Sequence, residues 1–326
     1  MMKTFVGIDI GGTKTAVVLA LEENGTFQIC ERVQFATLSW KESIETIFNI
    51  IEEITSKRSI NVCDICSIGI SCGGPLDSKL GLIMSPPNLI GWDNVEIVKI
   101  FKDKFGVATF IQNDANACAL AEWKFGAGKG TQNMVFMTFG TGLGAGLILN
   151  GKLYDGTNGN AGEVGHIRLE KFGAVGYGKR GSFEGFCSGS GIAQAARVRA
   201  MELFQMGKKC CYCKSMSELS EISAKSVAEA AKNGDKDAIE IYRECGEYLG
   251  RGVSILIDIL NPEKIVIGSI FERSQNLLSE AMNRAIAYDA LEQSASVCKV
   301  VPAILGNSIG DYAAVSVAIE GYRGNL

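Results

Sequence analysis

Residues 4–21 read TFVGIDIGGTKTAVVLAL, in which two adjacent glycines separate two apolar runs. The β-branched residues of both runs favour strands, and the glycines favour a tight turn between them. Residues 133–149 read NMVFMTFGTGLGAGLIL and repeat this pattern, and an Asn150-Gly151 hairpin turn follows them. The sequence therefore predicts a unit of strand, glycine loop and strand that occurs twice.

The residues that follow each glycine loop exclude two common nucleotide-binding motifs. Residues 7–15 nearly fit a P-loop, but the lysine follows Thr13 rather than a glycine, and a strand follows where a P-loop requires a helix. Gly140, Gly142 and Ala145 fit a loosened dinucleotide fingerprint, but here too a strand follows where a helix should begin. We therefore predict neither a P-loop nor a Rossmann site.

Helices are predicted between the strands. An apolar stripe with helical spacing runs from Ile44 to Ile54, and Asp93 is placed to cap a second helix. A third helix runs from Asp114 to Gly126, directly after the predicted strand FGVATFIQN. Helices that alternate with strands predict an α/β fold class.

The composition excludes several classes of partner. The chain has 326 residues, 47% of them hydrophobic, and this length favours two domains. Its 36 acidic and 32 basic residues do not suit a nucleic-acid-binding surface. There is no apolar run of transmembrane length and no signal peptide, so we expect a cytoplasmic protein whose 11 cysteines are reduced.

Paired glycine loops suit phosphate binding, because backbone N–H groups can approach phosphate oxygens where no Cβ intervenes. A single glycine loop of this kind is better explained as a tight hairpin turn than as a phosphate site. Asp9 stands at the end of the first apolar strand, where a carboxylate is costly unless it serves a cation or a donor. Because Mg²⁺ usually takes one carboxylate together with waters and phosphates, we predict that Asp9 lies in a magnesium shell.

Five motifs stand in order along the chain: DIGGTK, GGPLD, NDANA, TFGTGLGAG and GNAGEVGHI. Together with LNPEKIVIG and the later Gly306 and Gly310, they resemble the ROK family of repressors and sugar kinases. The resemblance covers nearly the whole chain. It implies an α/β, two-lobed actin-like ATPase and hexokinase (ribonuclease H-like) fold with duplicated lobes, the first formed by 1–113 with 308–326 and the second by 114–307.

The resemblance also implies a sugar kinase that uses ATP and Mg²⁺ to phosphorylate a hexose or an N-acetylhexosamine, with Asp114 as general base. A helix N-terminus fixes the direction of a carboxylate, which agrees with that role. The alternative, that Asp114 is a plain N-cap, would stay open if the flanking motifs were absent. The implied sugar contacts are Gly74, Asn88, Asn113, Asp114, Glu163, His166 and Glu184. The implied ATP contacts are Asp9, Gly11, Gly12, Thr13, Lys14, Gly140, Thr141, Gly142, Gly144, Gly268 and Ser269.

One segment departs from the pattern of the zinc-bearing family members. These follow the histidine with C-x-C-G-x-x-G-C, whereas this chain has Val175, Tyr177 and Ser182 at the three cysteine positions. We therefore expect no zinc. A replacement metal site stays open as an alternative at three clustered cysteines, Cys210, Cys211 and Cys213.

The resemblance leaves other functions open. Family repressors carry a helix-turn-helix segment before the first phosphate loop, which here begins almost at the N-terminus, so DNA binding is not expected. A non-catalytic sugar-sensing or regulatory protein is the other alternative, and the presence of Asp114 favours the kinase. The expected partners are a small-molecule sugar, a nucleotide and a second copy in a homodimer, with no membrane and no nucleic acid. These residues do not distinguish glucose from mannose, fructose, allose or N-acetylmannosamine.

Overall fold

The structure, a computed structural model, describes residues 2–326. Within them the strands are β1 (Lys3–Ile10), β2 (Lys14–Glu23), β3 (Thr26–Ala36), β4 (Ile65–Cys72), β5 (Leu76–Asp77), β6 (Leu82–Ile83), β7 (Thr109–Asn113), β8 (Met134–Phe139), β9 (Leu143–Leu149), β10 (Lys152–Tyr154), β11 (Val175–Gly176), β12 (Lys179–Arg180), β13 (Lys264–Ile267) and β14 (Lys299–Pro302). The helices are α1 (Trp40–Lys57), α2 (Ile97–Phe105), α3 (Asp114–Phe125), α4 (Phe183–Phe186), α5 (Gly189–Gln205), α6 (Ala224–Lys232), α7 (Lys236–Leu260), α8 (Ile270–Asp289), α9 (Glu292–Val297) and α10 (Ile309–Tyr322).

Two five-stranded sheets have the same strand order. The first is β3-β2-β1-β4-β7, and the second is β10-β9-β8-β13-β14. In the first, β1, β4 and β7 run parallel, and in the second, β8, β13 and β14 do so. The repeated strand, glycine loop and strand unit predicted from the sequence is confirmed as β1 with β2 and β8 with β9.

Helices cover both faces of the first sheet, because its strands alternate apolar side chains to either side. On one face, Ile47 of α1 and Phe101 of α2 join a buried cluster with residues of the strands. On the other face, α10 packs on Phe5 and Val18. The helical stripe from Ile44 to Ile54 is buried as predicted.

The second sheet is accompanied by helices from the later part of the chain. Helices α7 and α8 lie in close contact because α7 carries glycines on its contacting side. A Cβ at Gly246 would lie 2.5 Å from the Leu278 carbonyl oxygen, and one at Gly250 would lie 2.4 Å from the Met282 carbonyl oxygen. The backbones of the two helices therefore approach more closely than larger residues would allow.

The chain forms two compact units. The first contains the residues up to Gln132 together with 146–161 and 307–326, and the second contains 133–145 and 162–306. Helix α3 belongs to the first of these units. The domain limits inferred from the sequence, 1–113 with 308–326 and 114–307, remain a prediction. Within residues 2–326, none of the helices combines the length and the apolar character needed to cross a membrane.

One predicted helix start is wrong. Asp93 does not cap α2, which begins at Ile97 after Glu96. The chain is still extended at Val95, where it forms a β-bridge with Ile83. Asp93 instead accepts a hydrogen bond from the Ser85 hydroxyl. Because this bridge keeps the chain extended, α2 begins only after it, and Asp93, whose side chain is suited to capping, lies in a loop.

The third helix is confirmed, since α3 ends with Gly126 as its C-cap.

Candidate functional site

The first predicted phosphate loop joins β1 to β2. It consists of Gly11, Gly12 and Thr13, and Lys14 is the first residue of β2. The Gly11 N–H closes the turn by donating to the Lys14 carbonyl oxygen over 3.0 Å. A Cβ at Gly12 would lie 2.4 Å from the Asn88 carbonyl oxygen. The structure therefore brings Asn88, a predicted sugar contact, directly to a loop that is predicted to bind ATP.

Asp9 lies near the end of β1, beside this loop. Burial raises the pKa of its carboxyl to about 6, and the negative charges of Asp311 and Asp114 add to the rise. A hydrogen bond with Ser71 and the charge of Lys14 oppose it. The positive charge near Asp9 is thus too small to offset the burial of its carboxylate and the neighbouring negative charges.

The surroundings of Asp9 fit a magnesium ion. A Cβ at Gly310 would lie 2.3 Å from one carboxylate oxygen of Asp9, so the backbone at the start of α10 closes off one side of this carboxylate. Within residues 2–326, no group of three or more His, Cys, Asp or Glu side chains could hold a metal ion together. A single carboxylate with an excess of negative charge around it suits Mg²⁺ that brings its own waters and phosphates.

Asn113 and Asp114 lie where β7 ends and α3 begins. The residue that caps α3 is Asn113, whose side-chain oxygen accepts from the Ala115 N–H over 2.9 Å. One carboxylate oxygen of Asp114 accepts from the same N–H over 2.8 Å. The alternative of Asp114 as a plain N-cap is therefore wrong, because the preceding residue fills that position. Gly74 lies beside Asn113, whose amide nitrogen would be 3.2 Å from a Cβ there.

The second predicted phosphate loop joins β8 to β9. Gly140, Thr141 and Gly142 form it, and Gly144 lies within β9. The Gly140 N–H donates to the Gly142 carbonyl oxygen over 3.1 Å and so closes the turn. The Gly144 N–H donates to the hydroxyl of Thr138 over 3.0 Å. The loop is therefore held from both strands.

The N-terminus of α5 adjoins this second loop, a feature that is not among those predicted from the sequence. The Gly189 N–H donates to the Gly140 carbonyl oxygen over 2.8 Å, and the Ser190 hydroxyl donates to the Thr141 carbonyl oxygen over 3.0 Å. A helix N-terminus favours negative charge, which suits a phosphate-binding loop. The run Ser188-Gly189-Ser190-Gly191 is the sequence pattern from which this helix N-terminus could be predicted.

Glu184 of α4 reaches the second loop directly. One oxygen of its carboxylate accepts from the Leu143 N–H over 3.0 Å, and a Cβ at Gly142 would lie 2.7 Å from the same oxygen. The segment of Glu163 and His166 also lies there, since a Cβ at Gly165 would be 2.2 Å from the Leu143 carbonyl oxygen. The structure thus places Glu184, and the segment that carries Glu163 and His166, next to the loop predicted to bind phosphate.

Glu163 and His166 are presented towards solvent by a short 3₁₀ helix, Val164–His166. Glu163 and His166 are 58% and 45% exposed, and the Nε2 of His166 lies 4.0 Å from a Glu163 oxygen. Both side chains are therefore accessible to a ligand. Neither is fixed to the other by a short hydrogen bond.

Gly268 and Ser269 follow β13. The Gly268 N–H donates to the Met137 carbonyl oxygen over 3.0 Å, and the Ser269 N–H donates to the Glu272 carboxylate over 2.9 Å. The Ser269 hydroxyl lies 3.8 Å from the place of a Cβ at Gly140. These two predicted nucleotide contacts are therefore close to the second phosphate loop.

Val175, Tyr177 and Ser182, where the family resemblance implies the cysteines of zinc-bearing members, do not form a zinc site. The backbone of Val175 is bound to the side chain of Gln194. The hydroxyl of Ser182 donates to the Lys179 carbonyl oxygen over 3.0 Å and accepts from the Gly185 N–H over 3.2 Å. Valine and tyrosine offer no zinc ligand of the usual kind, and the serine is already used as a helix cap.

The alternative metal site at the clustered cysteines also lacks support. Cys213 is buried and Cys211 is exposed, so the thiols of this cluster do not share one environment. Within residues 2–326, these thiols are not part of any group of three or more side chains that could hold a metal ion.

Comparison with known proteins decides the family. The model of the ROK family matches residues 5–320. The chain belongs to the ROK family. This ROK protein is 31% identical to the glucokinase of Halalkalibacterium halodurans over 311 residues, which covers 94% of this chain and 92% of that one.

Solved structures agree with this ROK assignment. A ROK family glucokinase from Streptomyces griseus in complex with glucose and AMPPNP is 27% identical, covers 98% of this chain and 100% of its own, and has a TM-score of 0.72. A ROK family transcriptional regulator, a homolog of the E. coli MLC protein, is 25% identical with a TM-score of 0.81 and covers 98% of this chain and 79% of its own. The fold class predicted from the sequence, α/β with the actin-like ATPase and hexokinase fold, is confirmed.

Proposed function

We propose that this ROK protein transfers the γ-phosphoryl group of Mg-ATP to a hydroxyl of a hexose or N-acetylhexosamine, with Asp114 as general base. The chain is a sugar kinase, since glucokinases about 30% identical match it over most of its length. The glucokinase relatives make glucose the first sugar to test. One observation supports the finer proposal: Asp114 lies near enough to Asp9 for its charge to raise the pKa of the Asp9 carboxyl, so the proposed base and the proposed cation-binding carboxylate are neighbours in the first unit.

The roles proposed for the individual residues are those that the resemblance to the ROK family implies. Asp114 accepts the proton of the attacking hydroxyl, and its direction is fixed by the hydrogen bond to Ala115. Gly74, Asn88 and Asn113 hold neighbouring hydroxyls of the sugar. In the second unit, the same task falls to Glu163, His166 and Glu184.

Phosphoryl transfer requires mainly alignment and neutralisation of charge. The N–H groups of the two glycine loops bind phosphate oxygens, and Gly268 and Ser269 contact the nucleoside. Asp9 would hold Mg²⁺ through water, and the ion would supply positive charge to the phosphates when bound. Asp9→Asn should therefore raise the Mg²⁺ concentration needed for half-maximal activity and leave sugar affinity nearly unchanged.

A screen of ATP consumption over sugars tests the proposal. The panel contains glucose, mannose, fructose, allose and N-acetylmannosamine, and NMR of the product identifies the phosphorylated hydroxyl. We expect at least one sugar to stimulate ATP consumption with stoichiometric formation of a sugar phosphate. If calorimetry showed sugar binding and no sugar stimulated consumption, the kinase proposal would fail.

That outcome would favour a regulatory, sugar-sensing protein. The observation behind this second candidate is the similarity to regulators, among them the xylose repressor of Caldicellulosiruptor bescii, which is 30% identical over 274 residues, 82% of this chain and 65% of that one.

We further propose a homodimer in the cytoplasm. Sedimentation of the protein, whose chain has a mass of 34.9 kDa, tests the dimer.

A further inference from the structure

Strands β11 and β12 form a hairpin whose turn carries an unexpected residue. Val175 pairs with Arg180 and Gly176 with Lys179, so Tyr177 and Gly178 form a two-residue turn. Their φ angles are 44° and 73°. Such a turn requires positive φ at both positions and is usually built from Asn-Gly, because a Cβ crowds the left-handed conformation. A tyrosine there is held in an unfavourable conformation, and such residues cluster at functional sites.

The ring of Tyr177 lies against the ring of His166. Their centroids are 5.4 Å apart and their planes meet at 79°, an edge-to-face arrangement that is attractive for aromatic rings. Tyr177 is otherwise 77% exposed, so its ring is not held by burial in a core. The unfavourable backbone conformation at Tyr177 is therefore combined with a contact to a predicted sugar-binding side chain.

The hairpin is fixed relative to the segment that carries His166. The N–H groups of Leu169 and Glu170 donate to the Gly181 carbonyl oxygen over 2.8 Å and 3.1 Å. On the other side, the Gln194 amide accepts from the Val175 N–H over 3.0 Å and donates to the carbonyl oxygen of the same residue over 3.3 Å. Side-chain hydrogen bonding adds a further tie, since the Lys179 ammonium donates to the His166 carbonyl oxygen. The tip of the hairpin cannot drift from the imidazole while these bonds hold.

We propose that Tyr177 is a positioning residue that holds the imidazole of His166 in the orientation that binds the sugar. The inference rests on the proposed function for the role of His166. Glu163 lies 4.0 Å from Nε2 and does not fix the ring through a short hydrogen bond. The Tyr177 ring, which lies edge-to-face with the imidazole, supplies the restraint.

Tyr177→Asn separates a structural role from the positioning role. Asparagine tolerates the left-handed conformation better than tyrosine, so the variant should melt at or above the temperature of the wild-type protein. Removal of the ring should raise KM for the sugar about three- to tenfold, the scale of an aromatic pair, and leave KM for ATP unchanged. Tyr177→Phe keeps the ring and should behave like the wild type.

The single histidine of the chain provides a readout that does not depend on activity. In tag-free protein, the imidazole proton signals in an NMR spectrum belong to His166 alone. The ring current of Tyr177 should shift them, and this shift should be lost in Tyr177→Asn and kept in Tyr177→Phe. Unchanged imidazole signals, or an unchanged sugar KM, in Tyr177→Asn would overturn the proposal.

The two proposals fail in different ways. If the wild-type protein phosphorylates no sugar, the proposed function is lost, and with it the role in sugar binding. If the wild type phosphorylates a sugar and Tyr177→Asn keeps the wild-type KM, the kinase stands and the positioning role is wrong.

Discussion

Asp114 and Asn113 divide two tasks between adjacent residues. Asn113 caps α3, and Asp114 accepts a second hydrogen bond from the same Ala115 amide. The oxygen that caps the helix belongs to Asn113, so it remains in place when the carboxylate of Asp114 is removed. A substitution at Asp114 can therefore test chemistry with little effect on the helix.

We expect Asp114→Asn to lower turnover about a hundredfold or more, because an amide cannot accept the proton of the sugar hydroxyl. Thermal melting should change little, since Asn113 still caps the helix and the new side-chain oxygen can accept from Ala115. Steady-state kinetics on the best sugar of the screen measures the effect. Asp103→Asn, at an exposed position on α2, is the matched control and should leave turnover unchanged. Retention of more than about a tenth of wild-type turnover in Asp114→Asn would contradict the assignment.

The carboxyl of Asp9 makes stability depend on pH. Its pKa in the folded protein is raised from 3.8 to about 6, chiefly by burial. A carboxyl whose pKa is higher in the folded than in the unfolded state opposes folding when it is charged, so the cost is full above pH 6 and is lost as the pH falls towards the unfolded value. Without ligands, Asp9→Asn should therefore be more stable than the wild type at pH 8, by about 2–3 kcal/mol.

The same difference should shrink to about 0.5 kcal/mol by pH 4, where the carboxyl is protonated in the folded state and about half ionised in the unfolded state. Denaturant unfolding of both proteins at pH 8, 6 and 4 measures it. A stability difference that does not change with pH would show that the burial of charge at Asp9 is not its cause.

At the scale of elements, α10 lies directly on the backbone of β4. A Cβ at Gly69 would be 2.2 Å from the Ala318 nitrogen and 2.3 Å from the Ala314 carbonyl oxygen. Both contacts are with backbone atoms, which cannot turn aside as a side chain would. The close approach of this helix and strand depends on the absence of a side chain at Gly69.

Gly69→Ala should destabilise the protein by about 1–3 kcal/mol or more, because α10 must shift away from the sheet. The control is Gly73→Ala, just beyond the end of the same strand, where no atom lies within 4 Å of a new Cβ. Chemical unfolding of both variants measures the effect, and a variant that does not fold at all counts as the expected direction. Equal stability of Gly69→Ala and the wild type would show that the helix can move without cost.

Local signals in the sequence predicted the elements better than their limits and contacts. The two glycine loops and α3 follow from patterns within about 20 residues, which is why they could be predicted. The start of α2 could not, because the bridge of Val95 to Ile83 depends on the fold of a loop. The contact of Glu184 with the second phosphate loop joins residues 41 positions apart, so no local pattern reveals it. The neighbourhood of Asp9 and Asp311 likewise exists only once α10 lies on the sheet.

At the scale of the whole molecule, zinc content is a property that the sequence predicts and that can be measured. We expect the active enzyme to contain no stoichiometric zinc, because Val175, Tyr177 and Ser182 replace the three cysteines and the hairpin is held by hydrogen bonds instead. Elemental analysis of chelator-washed protein, with activity measured on the same sample, checks this. One zinc per chain whose removal abolishes activity would contradict it.

The position of α10 has a consequence for biosynthesis. The five strands of the first sheet are complete at Asn113, but the helix that covers one of their faces begins only at Ile309. A ribosome adds about 5–20 residues per second, so the roughly 200 residues between these points take about 10–40 s to make. During that time the apolar side chains of Phe5, Val18 and Ala20, which later pack under α10, have no such cover. The nascent chain therefore offers a binding surface to chaperones until α10 leaves the exit tunnel.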